Sequence, residues 1–242
     1  MPPPMTGIKP PPSVSTLWDR HAGADVFVCG FGASLLDFDW SRLDGRVTIA
    51  LNDAITKHPT ATYHLYADGR LYRFYWSVPY GAETTVVMQP CGTRRVVAAL
   101  GWAHWPKLRL FARGKEVSEL AAITREDDRL WTLTTVATAG IMLAWKLGAA
   151  RVYLLGVDGY IMPGSAYYAD GALCPAGWAM DHLMPNGYGV QERHVAWNAD
   201  MLALRTYFDG QARAGVPVPE VVNLNPLSSI DVWPKAHMEK FL

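Results

Sequence analysis

Asp25–Asp53 reads DVFVCGFGASLLDFDWSRLDGRVTIALND, and the rest of the chain takes its organisation from this stretch. Val26-Phe27-Val28-Cys29 is an apolar run too short for a helix and rich in β-formers, which predicts a buried strand. It stops at Gly30-Phe31-Gly32-Ala33-Ser34-Leu35, a small-residue turn. The two glycines there allow positive φ and leave no Cβ in the way of a ligand. A second run, Val47–Leu51, stops at Asn52-Asp53. Strands that end in small or polar residues are how an open parallel sheet builds a nucleotide crevice at its carboxyl edge. A lone Gly-x-Gly after a strand is equally the mark of a tight turn, so the case rests on repetition.

The pattern repeats. Tyr63–Tyr66 is a third strand and ends at Ala67-Asp68; Thr85–Gln89 is a fourth, and Leu108–Phe111 a short edge strand. Leu71–Trp76 is read as a helix lying on the sheet, and Val14–Gly23 as a short one covering it. Thr134–Gly148 is the clearest helix: Thr135 stands at the N-cap, Val136–Leu147 is apolar on nearly every face, and Gly148 stops it. Arg151–Val157 is a strand running into Asp158-Gly159-Tyr160, so helix, glycine, strand and acidic turn follow in a βαβ rhythm. A helix over His194–Gly210 and a last strand over Val218–Leu224 complete the set. Arg113–Arg129 is the most charged segment and reads as a solvated loop or exposed helix face. Ile161–Val190 is rich in Gly, Pro and aromatics without a period, the composition of a lid or binding loop.

The fold expected is α/β and Rossmann-like: a mainly parallel sheet with helices on both faces and an irregular lid region. Val26–Cys29, Val47–Leu51 and Val152–Val157 should be neighbouring central strands. The chain divides into a proline-rich extension (1–22), a nucleotide-binding α/β domain (23–160), a lid loop (161–193), and a helix and strand completing the same domain (194–242).

At 242 residues, half of them apolar and 18% charged, the chain is long enough for one sizeable core. Lys+Arg and Asp+Glu cancel at 22 each, which argues against nonspecific nucleic-acid binding through a basic surface. Cys29, Cys91 and Cys174 are odd in number and lack a CxxC pair, as expected of reduced cytosolic thiols rather than a disulfide framework or a zinc site. No apolar run is long enough for a transmembrane helix. The opening MPPPMTGIKPPPS, with six prolines, is a stiff solvated tail and not a signal peptide. These features together lead to the expectation of a cytoplasmic protein and leave self-association open.

GFGASLLDFDWSRL, followed by a strand ending in Asn52, resembles the opening of the bacterial sialyltransferases of glycosyltransferase family 42. TVATAGIMLAWKLGAARVYLLGVDGYIMPGSAYYAD resembles that family's loop, buried helix, strand and Gly-x-Asp-x-Tyr turn. A looser match is a histidine opening a helix, here His194, with a later Asn-Pro-x-Ser turn at Asn225–Ser228. Together these cover about half the chain, and the middle from Leu71 to Trp131 has no counterpart. The resemblance implies a GT-A-like variant of the fold and a sugar transfer from a nucleotide-sugar donor, CMP-linked, to a hydroxyl acceptor. It implies donor contacts at Gly30, Gly32, Ser34 and Asn52 and, in the loop before the buried helix, at Thr135, Val136 and Ala137; Ala33, Asp68 and Asp158, at the same turn and strand ends, are expected to line the nucleotide-binding crevice with them. Tyr160 and Tyr167 fall where the family binds the departing phosphate, and His194 where it places its general base. No metal or other cofactor is implied: tyrosine hydroxyls meet the charge as it develops, and a neutral imidazole, whose ordinary pKa is near ~6.5, takes the acceptor's proton.

Three positions depart from the family's pattern. Its Thr-Ser-Gly loop is Thr135-Val136-Ala137 here, the proline of its glycine turn is Ala33, and the Asn ending its third strand gives way to Ala67-Asp68. A carboxylate at that last place repels an anionic donor unless it faces a ribose hydroxyl or a metal. The Gly-x-Gly-x-Ser-Leu turn and Leu155-Gly156-Val157-Asp158 are also similar to the hydroxymethylpterin diphosphokinases, within a wider group that includes proteins of domain of unknown function 115. That resemblance implies diphosphate transfer from ATP with magnesium held by Asp68 and Asp158. A third reading is a catalytically inactive nucleotide-binding module.

Each residue also has a plainer use. Asp158 is at home as a turn-former, and Tyr160 and Tyr167 as walls between lid and sheet. His182 stands in reserve for His194, and Trp178 or Trp197 could stack on a sugar ring or simply pack. Ser34 has no His or Asp at nucleophile-elbow spacing.

Overall fold

Most of the strands form where apolar β-formers come in short runs. β1 (Asp25–Cys29), β2 (Val47–Leu51), β3 (Tyr63–Tyr66), β4 (Thr85–Met88) and β5 (Leu108–Leu110) follow one another, and β8 (Arg151–Leu155) and β9 (Glu220–Asn223) come late in the chain. These seven make one sheet in the order β5-β4-β3-β2-β1-β8-β9. Each neighbouring pair is parallel, with Val26 opposite both Val47 and Val152. The computed structural model describes residues 11–68, 71–75, 77–89, 107–159 and 190–242. The proline-rich start, Cys91, and the lid residues Tyr160, Tyr167, Cys174, Trp178 and His182 lie outside the described residues.

Parallel strands buried on both faces need apolar residues at consecutive positions. In β1, Val26 and Val28 join one core layer while Phe27 and Cys29 join the other. The first layer is closed by two helices, Val136–Lys146 and Val190–Arg213, the latter through Met201, Leu204 and Phe208. Short turns carrying Leu35, Leu43 and Ile55, with a four-residue helix over Tyr72–Tyr75, close the second. Strand succession runs outward from β1 to β5 on one side and from β8 to β9 on the other. The order therefore reverses between β1 and β8, and at such a switch point adjacent connections leave in opposite directions and open a crevice.

The charged segment differs from its reading as a solvated loop. Ala112–Gly114 (β6) pairs in parallel with Arg129–Trp131 (β7) in a small second sheet. Trp131 and Leu130 are buried, and the short helix Val117–Leu120 lies between the two strands. Strands of three residues carry no period to detect. The helix expected from His194 begins at Val190.

Among the described residues the helices are α1 (Tyr72–Tyr75), α2 (Val117–Leu120), α3 (Val136–Lys146) and α4 (Val190–Arg213), and the charge in α3 needs explanation. Lys146 ends this apolar helix yet is 2% exposed. Its ammonium donates to the carbonyls of Thr124 (2.6 Å), Asp127 (2.8 Å) and Arg125 (3.1 Å) and meets the Asp127 carboxylate at 3.2 Å. Burial pulls its pKa down, and Asp127 opposes that. The lysine thus gathers the loop before β7 onto the core. Lys146→Met should lower stability by about 2–4 kcal/mol, because the carbonyls lose their donor while the stem still fits. Urea unfolding checks this; a midpoint equal to that of the wild type would refute it.

Candidate active site

The carboxyl ends of β1, β2 and β8 and the start of α3 surround a cavity. Gly30, Phe31 and Gly32 wall it from β1, Leu51 and Asn52 from β2, and Gly156, Val157, Asp158 and Gly159 from β8. Thr134, Thr135, Val136 and Ala137 enter from the N-terminal end of α3, and Trp197 from α4. Of the crevice residues expected from the sequence, Gly30, Gly32, Asn52, Thr135, Val136, Ala137 and Asp158 are thus brought together. Ser34 stands behind the wall, bonded to Asp158, while Ala33 and Asp68 are not part of it. The backbone of His194 belongs to α4; its side chain lies outside the described residues, as do Tyr160 and Tyr167.

The glycine turn works differently from its reading in the sequence. Neither Gly30 nor Gly32 has positive φ. A Cβ on Gly32 would lie 2.6 Å from Cγ of Asp158 and 2.7 Å from the Gly156 carbonyl oxygen, and one on Gly30 would strike the same carbonyl. These positions are glycine because β1 and β8 leave the sheet with their backbones in contact.

Asp158 locks that contact. It is 4% exposed, and its carboxylate accepts from Ser34 Oγ (2.6 Å), Ser34 N–H (2.9 Å) and Asn225 Nδ2 (2.8 Å). The Asn225–Ser228 turn closes over it from the other side: Ser228 Oγ donates to the Asp158 carbonyl at 2.9 Å, and Ser229 N–H does so at 2.8 Å. Three segments distant in the sequence therefore meet at a single buried carboxylate. Three of the roughly four acceptor sites of the carboxylate are taken, so a magnesium ion would have to share Asp158 with Ser34 and Asn225. Asp68, its partner in that reading, is not in the cavity wall; it and Asp200 both favour the charged form of Arg113, whose guanidinium donates to the carbonyls of Thr132 and Leu133 at 2.9 Å each. Among the described residues no group of His, Cys, Asp and Glu has the composition of a metal site.

The α3 end of the cavity is held by Asp200 on α4. Its carboxylate accepts from the N–H (2.7 Å) and hydroxyl (2.6 Å) of Thr134. Burial raises its pKa, and the Thr134 and Thr135 hydrogen bonds and Arg113 oppose that rise. Thr135 caps α3, accepting from Ala137 N–H at 3.3 Å, so the first turn of an eleven-residue helix faces the cavity. Its amide groups and dipole favour an anion there.

Asn52 is left-handed, at φ 48°, a conformation asparagine tolerates better than most residues. Behind it lies His64, wholly buried, with a pKa that burial pushes down to about 3. The unfolded chain takes up a proton below about 6.5, whereas the folded one stays neutral until about 3. The unfolded state therefore binds more protons in that window, and stability falls with acidification by up to about 1.4 kcal/mol per pH unit. His64→Phe should flatten the slope between pH 6 and 4 by about one proton, measured by urea unfolding at each pH. An identical slope in both proteins would contradict this.

Asp200, Arg113, His64 and Trp197 escaped the sequence reading or were left undecided by it. The one signal available was a tryptophan, weighed for stacking.

No protein-family model matches the chain, and no curated protein matches it. Among solved structures, it is similar to the Maf glycosyltransferase of Magnetospirillum magneticum, with a TM-score of 0.58 and 17% identity over 96% of this chain and 36% of that one. The chain thus spans little more than a third of the Maf protein. It is similar also to a variant of the sialyltransferase CstII, an enzyme from Campylobacter jejuni, in complex with CMP; there the TM-score is 0.50, with 16% identity over 88% of this chain and 86% of that one. At these identities the likeness establishes the fold, and the chain has a glycosyltransferase-like α/β fold with a seven-stranded parallel sheet.

Proposed function

We propose that this chain is a glycosyltransferase that moves a sugar from a nucleotide donor, CMP-linked by preference, to a hydroxyl acceptor without a metal. The observation that carries this reading is the convergence of the glycine turn, Asn52 and the first turn of α3 on one cavity at the β1/β8 switch point. The similarity to a sialyltransferase solved in complex with CMP supports the choice of nucleotide. No Lys or Arg lies in the described wall, so a donor phosphate would rest on the amides of α3 and on the hydroxyls of Tyr160 and Tyr167.

In the transfer, the acceptor oxygen bonds to the anomeric carbon while the bond from that carbon to the phosphate oxygen breaks. CMP leaves with the bonding electrons, and the acceptor's proton passes to His194. Trp197 can offer its ring to the base or sugar. The three hydrogen bonds that Asp158 already accepts favour this reading over the magnesium-dependent diphosphokinase. The test is release of CMP from a CMP-sugar in EDTA, with and without hydroxyl acceptors. Acceptor-stimulated release supports the reading; binding without turnover would indicate an inactive module, and magnesium-dependent consumption of ATP a diphosphokinase.

A further inference from the structure

Among the described residues of the cavity wall, Asn52 combines a left-handed backbone with a buried polar atom lacking a protein partner. Its φ is 48°, and its Oδ1 is buried with no hydrogen-bond donor near it among the described residues. Something must hold the residue there, and the contacts to its backbone show what. His64 Nε2 lies 3.0 Å from the Asn52 carbonyl oxygen, and His64 Nδ1 lies 2.9 Å from the Tyr80 hydroxyl.

The chemistry fixes the direction of both bonds. A carbonyl can only accept, so Nε2 carries the proton. Burial keeps the ring neutral, so Nδ1 is a bare acceptor and the Tyr80 hydroxyl donates to it. Tyr66, Tyr75 and Tyr80 surround the imidazole at ring-centroid distances of 5.1, 4.7 and 5.6 Å, which prevents it from turning away. The order is Tyr80 O–H to His64 Nδ1, then His64 Nε2–H to Asn52 C=O.

We propose that His64 and Tyr80 are positioning residues of this site, which hold Asn52 left-handed through its carbonyl so that its side-chain amide is preorganised for a hydrogen-bond donor on the ligand. This rests on the reading of the cavity as a nucleotide-sugar site. It adds that the ligand group met by Asn52 is a hydroxyl or amine, and that the phosphate lies elsewhere, toward α3. His64 touches no ligand; it acts through Asn52.

Two measurements test this, one of them independent of the ligand. In the free protein, nitrogen NMR of the imidazole should show the Nε2–H tautomer. His64→Phe should shift the Asn52 backbone and side-chain amide signals, and His64→Gln, whose amide can still donate to the carbonyl, should bring them back towards wild type. Titration with CMP then asks whether the effect is exerted through Asn52. His64→Phe should weaken binding on the order of tenfold, the loss of one oriented hydrogen bond. In an Asn52→Gly background, which keeps left-handed freedom but has no amide, the same change should cause no further loss. An Nδ1–H tautomer, unmoved Asn52 signals, or losses that multiply in the double variant would overturn the proposal. A wild-type protein that fails to bind CMP would refute the proposed function, while the NMR result would still decide the positioning role.

Discussion

Asp158→Ala should lower stability by about 3–5 kcal/mol and abolish nucleotide binding. The carboxylate is the meeting point of the glycine turn, the end of β8 and the Asn225–Ser228 turn, and it receives three hydrogen bonds while almost fully buried. Removing it leaves the Ser34 hydroxyl, the Ser34 amide and the Asn225 amide facing a void. Each buried donor left without a partner costs about 1–3 kcal/mol, before the cavity is counted. Asp158→Asn should cost about half as much: it keeps one oxygen for two of the donors but sets an amide N–H₂ against the Ser34 N–H. Denaturant unfolding measures both. A loss below about 1 kcal/mol in the alanine variant would mean that the turn does not depend on this residue.

The largest effect expected on activity is that of His194→Ala, a fall in turnover of roughly 10²–10⁴-fold with CMP affinity nearly unchanged. The acceptor hydroxyl is a poor nucleophile until its proton has somewhere to go. A base contributes to that step alone and leaves ground-state binding of the donor untouched. Loss of the hydroxyl in Tyr160→Phe should instead slow transfer and weaken donor binding modestly, because that group meets the phosphate before and during the reaction. Steady-state kinetics with varied donor separate the two patterns. Full activity in His194→Ala would pass the role to His182 or refute a histidine-based mechanism.

Much of the fold could be read in advance because its strands are buried on both faces. Such strands appear as nearly continuous apolar runs, and β1, β2, β3, β4 and β8 lie where those runs lie. The α3 helix announced itself in the same way, through Thr135 at its cap and Gly148 after its end. What escaped has a common physical cause: it depends on partners distant in sequence or on very few residues. The three-residue strands β6 and β7 have no period, and charged neighbours made them look solvated. Lys146 is stabilised by carbonyls of a loop about twenty residues earlier. His64 looks like any strand residue until Asn52 and Tyr80 are placed beside it.

The candidate site shows the same division. Gly30, Gly32, Asn52, Thr135 and Asp158 stood out as small or polar residues ending apolar elements, and these the sheet brings together. The reason for the glycines did not emerge, because the crowding comes from Gly156 and Asp158, more than a hundred residues later in the chain. Asp68 had the right place at a strand end, but it is not in the cavity wall, and its charge acts on Arg113. Nothing in the sequence relates these two residues.

Calorimetric titration with CMP, UDP, GDP and ATP, each with EDTA and with magnesium, tests the assignment most directly. A nucleotide-sugar site of the kind proposed should bind CMP one-to-one with the same affinity in EDTA as in magnesium, and the other nucleotides at least roughly tenfold more weakly. No heat with CMP, together with ATP binding that appears only when magnesium is added, would contradict it.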